Sequence, residues 1–134
     1  MIKQWIAFLI IAFLIMAGSS SVMAMPLSAA PSGAEITIEY GEPTINSDGS
    51  VLKDLAKTTI YYNIGSGPVK AADIPATINT GGGTIIHKII LPVSQGEEVT
   101  ADLWATASDT TGNESEKSNI VRVVADMLPP SPPK

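Results

Sequence analysis

The alternation of apolar and polar residues along several short segments constrains the fold of this chain most strongly. In EITIEY, residues 35–40, Ile36, Ile38 and Tyr40 alternate with polar side chains, which is the period of a β-strand with one buried face. Residues 99–107 repeat the pattern. Beyond the first two dozen residues the sequence lacks segments with the period of an α-helix, so the sequence predicts an all-β protein.

Three further segments are rich in the β-branched and aromatic residues that favour strands. Residues 58–64 place Ile60 and Tyr62 on one side, whereas residues 84–90 are apolar on both faces and their register stays open. Residues 119–126 form the last predicted strand. Sequences rich in glycine, asparagine and proline predict turns between these segments, at residues 46–49, 65–68, 81–83 and 110–113. Short strands at this spacing predict a sandwich or a barrel.

The N-terminal sequence MIKQWIAFLIIAFLIMAGSSSVMA has the composition of a secretory signal peptide. Lys3 precedes an apolar run at residues 5–17, and small residues end at Ala24, so we expect a signal-peptide helix that is cleaved after Ala24. Residues 28–30 are a weaker cleavage site. We therefore expect a protein that is secreted or lies in the periplasm or cell envelope. The alternative is an inner-membrane anchor at residues 5–17, although a membrane-spanning helix needs about 20 residues.

The net charge argues against nucleic-acid binding, and the absence of cysteine excludes disulfide bonds. The full chain of 134 residues carries a net charge of −5, and removal of Lys3 makes it more negative. Binding of phosphate backbones depends on lysine and arginine, so we expect no nucleic-acid partner. With no cysteine, an exported chain has no disulfide to stabilise it. A chain of 134 residues corresponds in length to one domain with its own core.

The connection between the strands at residues 35–40 and 58–64 is polar, but it contains Leu52 and Leu55. If the two strands lie in opposite sheets, the chain has to cross one end of a sandwich between them. Residues 46–49 form the turn, because Asn, Asp and Gly tolerate left-handed backbone. We expect the two leucines to fold beneath the loop and to close that end of the core.

Two blocks of sequence resemble bacterial or phage fibronectin type III domains. YGEPTINSDGSVLKDL, residues 40–55, followed by IYY, is similar to the B strand, B–C loop and C strand of that family. ASDTTGNESEKSN, residues 107–119, is similar to the end of the F strand, the F–G loop and the start of the G strand. The resemblance implies an immunoglobulin-like, fibronectin type III β-sandwich of about seven antiparallel strands, preceded by the signal-peptide helix.

The resemblance also implies a division of the chain. LPPSPP, near the C-terminus, is similar to the linkers that follow such domains. The expected units are a signal peptide at residues 1–24, an N-terminal segment with a weak A strand at 25–34, the fibronectin type III-like domain at 35–126 and a proline-rich tail at 127–134.

The sequence predicts no catalytic residue, no cofactor and no metal. His87 is the one histidine and lies within a predicted strand, and cysteine is absent, so His/Cys metal clusters and Ser-His-Asp machinery are hard to assemble. A small enzyme that uses carboxylates such as Asp102 and Asp109 is the least supported hypothesis.

Two loops collect oxygen-bearing side chains and are candidate binding loops. Asn46, Asp48 and Asp54 lie in the predicted B–C loop, and Asp109, Asn113 and Glu114 lie in the predicted F–G loop. The resemblance places both loops at the same end of the sandwich. Calcium requires six to eight such oxygens; the alternative, which we favour, is that these side chains cap their own turns.

Tyr61 and Trp104 form the candidate ligand face. Alternation places both side chains on the outward face of neighbouring strands, where an exposed pair could bind a sugar ring or an apolar side chain. In the alternative, which we favour, the rings cover each other and the stems of neighbouring side chains, or Trp104 turns inward because the flanking alanines leave space. The preferred function is an exported non-catalytic module for protein binding, adhesion or spacing at the cell envelope or on a virion. The alternative is a carbohydrate-binding accessory module that uses an exposed Trp/Tyr face.

Overall fold

The computed structural model describes residues 10–15 and 33–133, and this part of the chain is all-β. Six strands lie between residues 34 and 126 and a seventh lies near the N-terminus. The strands are β1 (Ile10–Ile15), β2 (Ala34–Gly41), β3 (Leu55–Asn63), β4 (Pro68–Pro75), β5 (Thr84–Leu91), β6 (Glu98–Asp109) and β7 (Val121–Asp126). The described residues contain no helix long and apolar enough to cross a membrane.

The strands form two antiparallel sheets that enclose one core. One sheet has the order β1-β2-β5 and the other has the order β4-β3-β6-β7. Fully buried side chains from both sheets, among them Ile36 and Ile38 of β2, Ile60 of β3 and Leu103 of β6, belong to a single cluster. This is the layered arrangement of a β-sandwich, as the sequence predicts.

The alternation in the sequence corresponds to the burial in the structure. In β2 the side chains at Ile36, Ile38 and Tyr40 are buried and the residues between them are half-buried. The sequence left open which face of residues 84–90 is buried. In the structure this strand pairs with β2, and Ile85 and Ile89 face the core and are buried.

The N-terminal apolar run differs from the expectation of a signal-peptide helix. Ile10–Ile15 forms a strand that pairs with β2 from Ile10 opposite Tyr40 to Ile15 opposite Glu35. The run is rich in isoleucine, a residue that favours strands, and β2 offers it an unpaired edge. The expected cleavage after Ala24 lies outside the described residues. So do residues 5–9 and 16–17 of the inner-membrane alternative, and all of the expected A strand at residues 25–34 except Gly33 and Ala34.

One strand was not anticipated from the sequence. β4 has proline at both ends, at Pro68 and Pro75, and contains Lys70 and Asp73, so it lacks the apolar alternation that predicts a strand. It is an edge strand that pairs only with β3, with a register shift opposite Ile60 and Tyr61. Proline is tolerated at such positions because an edge strand leaves half of its N–H groups unpaired.

The expected plug is present at one end of the sandwich. Leu52 and Leu55 are each 1% exposed and belong to the core cluster. Above them, the chain at residues 76–83 approaches the end of β2 so closely that Gly81, at φ +69°, would place a Cβ 1.8 Å from the carbonyl oxygen of Pro43. This contact explains why position 81 is glycine.

Candidate functional site

Three loops lie together at the end of the sandwich that Leu52 and Leu55 close. They are residues 42–54 between β2 and β3, residues 76–83 between β4 and β5, and residues 110–120 between β6 and β7. Backbone hydrogen bonds connect all three, because the Leu55 N–H donates to the Asn79 carbonyl and the Thr110 N–H donates to the Asp54 carbonyl. The candidate loops are therefore neighbours, and we call this surface the loop end.

A buried carboxylate holds the first two loops together. Glu42 is 5% exposed, and it accepts hydrogen bonds from the Thr77 N–H at 2.9 Å, the Gly83 N–H at 3.1 Å and the Thr77 hydroxyl. A buried carboxylate requires such partners, because an unpaired one would be strongly disfavoured. Sequence reasoning did not identify Glu42, since nothing in its local pattern distinguishes it from a surface residue.

In the first loop, Asn46 and Asp48 cap the turn. The Asp48 carboxylate accepts the Ser50 N–H at 2.9 Å, and the hydrogen bonds from Ser50 lower the pKa of Asp48. Asn46 donates its side-chain amide to the Ser50 hydroxyl at 3.0 Å. Gly49 has φ +86°, the left-handed conformation that glycine adopts freely.

The third loop is capped in the same way by Asp109. Its carboxylate accepts the N–H groups of Thr111 and Asn113, both at 2.9 Å, and the Asn113 side-chain amide at 2.9 Å. Partial burial opposes ionisation, but the hydrogen bonds from Asn113 and Thr111 outweigh it and the pKa of Asp109 is lowered. The turn-capping alternative is therefore the arrangement found for Asp48, Asp109 and Asn113.

The structure brings Asp54 to the third loop through its backbone rather than its carboxylate. Among residues 10–15 and 33–133, no three histidine, cysteine, aspartate or glutamate side chains lie close enough together to hold a metal ion. The acidic side chains at the loop end fix the shape of the loops.

Tyr61 and Trp104 are stacked on the outward face of the four-stranded sheet. They are directly opposite in the β3–β6 pairing, with ring centroids 5.8 Å apart and planes 14° from parallel. The Lys117 ammonium lies 4.3 Å from the centre of the Trp104 ring, a cation–π contact. As a result Trp104 is only 4% exposed. This is the alternative that the sequence favoured: Tyr61 and Lys117 cover the indole of Trp104, whereas Tyr61 itself is only half-buried.

Glu114 connects the third loop to this aromatic pair. Its carboxylate accepts the Tyr61 hydroxyl at 2.9 Å and the Thr106 hydroxyl at 2.7 Å. Desolvation raises the pKa of Tyr61, and the hydrogen bond to Glu114 raises it further. A cleft of about 290 Å³ lies beside the pair. Its lining residues are Tyr61, Pro68, Trp104, Thr106, Glu114, Ser115, Glu116 and Lys117.

Two serines anchor the segment that carries Glu114 and Lys117. Ser115 and Ser118 are buried, and their hydroxyls accept the N–H groups of Ala107 and Ala105, both at 2.9 Å. Their own N–H groups donate to the carbonyls of the same two alanines. This segment therefore serves as a partner for the half of β6 that β7 does not reach. The spacing of the serines carries no recognisable signal in the sequence.

The loop end also exposes aliphatic side chains that sequence reasoning did not identify. Ile45 and Val51 face each other in an isolated β-bridge and are 47% and 63% exposed, and Ile78 in the second loop is 61% exposed. Ile45 and Ile78 have polar neighbours on both sides and Val51 precedes the buried Leu52, so the local pattern gave no reason to expect exposed aliphatic side chains there. Comparisons of the whole sequence find no matching family profile, curated protein or solved structure.

Proposed function

We propose that the chain is an exported, non-catalytic module of the fibronectin type III type that binds a protein partner through its loop end. The observation that carries the proposal is the set of exposed aliphatic side chains, Ile45, Val51 and Ile78, on loops that capped turns and Glu42 hold in place. Exposed apolar side chains on a rigid support are typical of protein-binding surfaces, because little conformational entropy is lost on binding.

The strand order supports the family part of the proposal. In immunoglobulin-like sandwiches the B strand lies in one sheet and the C, F and G strands lie in the other. The strands matched by the resemblance follow this division, since β2 lies in the three-stranded sheet and β3, β6 and β7 lie in the four-stranded sheet. The signal-peptide composition of residues 1–24 supports export.

Quantitative co-purification from the native host tests the proposal. We expect the chain to retain a specific partner that the triple variant Ile45→Ser/Val51→Ser/Ile78→Ser loses by at least about tenfold, because a few central residues dominate binding at such interfaces. The matched control is Ile86→Ser/Ile90→Ser, which removes exposed isoleucines from the outer face of β5 instead. If the triple variant retains the partner and the control loses it, the loop end is not the binding surface.

Carbohydrate binding is the second candidate, and the cleft beside Tyr61 supports it. Aromatic rings that line a cleft with an acidic hydrogen-bond acceptor, here Glu114, can hold a sugar ring. A glycan array probed with the chain and with Tyr61→Ala tests this function. Binding of a glycan that disappears in Tyr61→Ala and persists in the triple loop variant would favour it over protein binding.

A further inference from the structure

The outer edge of β2 is covered by a strand that comes from a distant and separable part of the chain. β1 pairs with six residues of β2, whereas the connection between them runs over residues 16–33. Antiparallel neighbours are usually joined by about 2 to 5 residues. The expected signal-peptide cleavage site, after Ala24, falls within this long connection. Cleavage there would break the covalent link to β1.

The sequence of β2 is that of an interior strand. Natural proteins protect edge strands with lysine, proline or a bulge, and Ala34–Gly41 contains none of these: its pairing with β5 is continuous over eight residues. It contains two acidic residues, Glu35 and Glu39. Glu35 forms an ion pair with Lys88 of β5 at 3.2 Å, on the side opposite β1. The edge that β1 covers is therefore unprotected.

The edges of the other sheet differ in this respect. β4 has a proline at each end, Lys70 within it and a register shift in its pairing with β3. β7 has only six residues, with Arg122 among them. Both strands thus carry features that discourage the addition of a further strand. β5, the other edge of the three-stranded sheet, contains Lys88. Among the described strands, β2 is the one whose outer edge would lack lysine, arginine, proline and a register shift if β1 were removed.

We propose that the outer edge of β2 is an acceptor site for an extended, uncharged, apolar strand donated by another polypeptide, and that Ile10–Ile15 occupies this site until the N-terminal segment is removed. Main-chain hydrogen bonds to β2 provide the affinity, and alternate side chains of the added strand face the core, as in other cases of strand addition. The register defines the ligand. Three of its positions fall opposite the buried residues Ile36, Ile38 and Tyr40, so alternate residues must be apolar. The site is separate from the loop end and does not depend on its function.

Hydrogen exchange on the full chain tests the proposal. The double variant Ala12→Pro/Phe13→Pro removes two adjacent N–H groups from β1, so that at least one ladder hydrogen bond is lost whichever of the two points toward β2. We expect the amides of Ala34–Gly41 that point toward β1 to exchange at least about tenfold faster in this variant, while amides of β3 and β6 keep their protection.

A peptide supplied in trans provides the decisive measurement. A peptide of sequence IIAFLI with flanking lysines for solubility should restore the protection of Ala34–Gly41 in the double variant, and the same peptide with prolines at its third and fourth positions should not. Protection that persists in the double variant without peptide, or that the peptide fails to restore, would overturn the proposal.

A second measurement keeps the test valid if the double variant loses protection in β3 and β6 as well. A protease site inserted among residues 18–22 of the otherwise unchanged full chain allows the connection to be cut after folding. The fluorescently labelled peptide should then exchange into the cut chain and not into the uncut chain. Exclusion of the peptide from the cut chain in the presence of excess peptide would show that β2 does not accept a strand from another molecule.

Discussion

The two sheets present different outer surfaces to solvent. On the four-stranded sheet Trp104 is almost completely covered, and ion pairs join Arg122 to Asp102 at 2.8 Å and Lys70 to Asp73 at 2.9 Å. On the three-stranded sheet, Ile86 and Ile90 are 66% and 42% exposed and one ion pair joins Glu35 to Lys88, whereas the exposed aliphatic side chain on the outer face of the four-stranded sheet is Val124, at 44%. The outer face of the four-stranded sheet is covered by side chains of its own strands and of the loop between β6 and β7. The three-stranded sheet instead includes β1, a strand from the N-terminal part of the chain.

This difference suggests a division of roles within one small domain. A covered outer face and protected edges contribute stability, whereas exposed aliphatic side chains and an unprotected edge favour association with other chains. Three of the four measurements that follow compare matched positions in the two sheets or their shared core, and the fourth tests an ion-paired carboxylate of the four-stranded sheet; they are in order of decreasing effect.

The largest expected effect is that of Trp104→Ala. The substitution removes a ring that packs between Tyr61 and Lys117, and buried Trp→Ala changes cost about 3 to 5 kcal/mol. The matched substitution on the other sheet is Ile86→Ala, which should change the free energy of unfolding by less than about 0.5 kcal/mol. Urea denaturation of the two variants measures both values, and similar losses in the two variants would remove the distinction between the outer faces.

Leu55→Ala tests whether the loop end is seated on the shared core. Leu55 is 1% exposed at the start of β3, and a leucine cavity at such a position costs about 2 to 4 kcal/mol. Val51→Ala, in the loop that precedes β3 and 63% exposed, is the control and should cost less than about 0.5 kcal/mol. An unchanged melting temperature for Leu55→Ala would contradict its role as a plug.

Thr37→Val should stabilise the three-stranded sheet by about 0.5 to 1 kcal/mol, because the buried Thr37 hydroxyl lacks a hydrogen-bond partner. The same change in the four-stranded sheet, Thr59→Val, should destabilise the protein by about 1 kcal/mol, since the Thr59 hydroxyl donates to Asp73 at 2.7 Å. Opposite signs in chemical denaturation support the comparison of the sheets. Destabilisation by both substitutions would show that Thr37 is satisfied in solution.

Asp73→Asn has the smallest expected effect and depends on pH. The hydrogen bond from the Thr59 hydroxyl, and to a lesser extent the one from Lys70, lowers the pKa of Asp73 from 3.8 to about 2. Because the folded-state pKa is depressed, the ionised carboxylate stabilises the protein above about pH 4, and that contribution disappears as the pH falls toward 2. We expect Asp73→Asn to melt about 1 to 4 °C lower at pH 7.

Thermal melting of both proteins between pH 7 and pH 2 checks this last prediction. The difference should be constant above about pH 4 and vanish near pH 2. A difference that does not change with pH would mean that the Asp73 charge contributes nothing and that only the shape of the side chain matters.

Much of the fold followed from the sequence because strand periodicity is a local property. Five of the strands were predicted with boundaries within about three residues, and the buried leucines at positions 52 and 55 were predicted from their place in a polar loop. β4 was missed because an edge strand can do without apolar alternation. β1 was expected to be helical because its composition suits a membrane segment as well as a strand.

The candidate site was predictable only in its parts. Asn46, Asp48, Asp109 and Asn113 carried a recognisable turn signal, because the side chains that cap a turn lie within a few residues of it. The roles of Glu42 and Ser118 were not predictable, since each meets its partners across tens of residues or in a neighbouring strand.

The sequence by itself determined that the chain forms strands with one buried face and where most of its turns lie, because both depend on neighbours a few residues apart. Only the tertiary structure decided that Trp104 is covered, that three loops meet at one end and that Ile10–Ile15 lies along β2. Those outcomes depend on which distant segments are brought together, and the free energy of such contacts is set by burial and pairing across the whole domain.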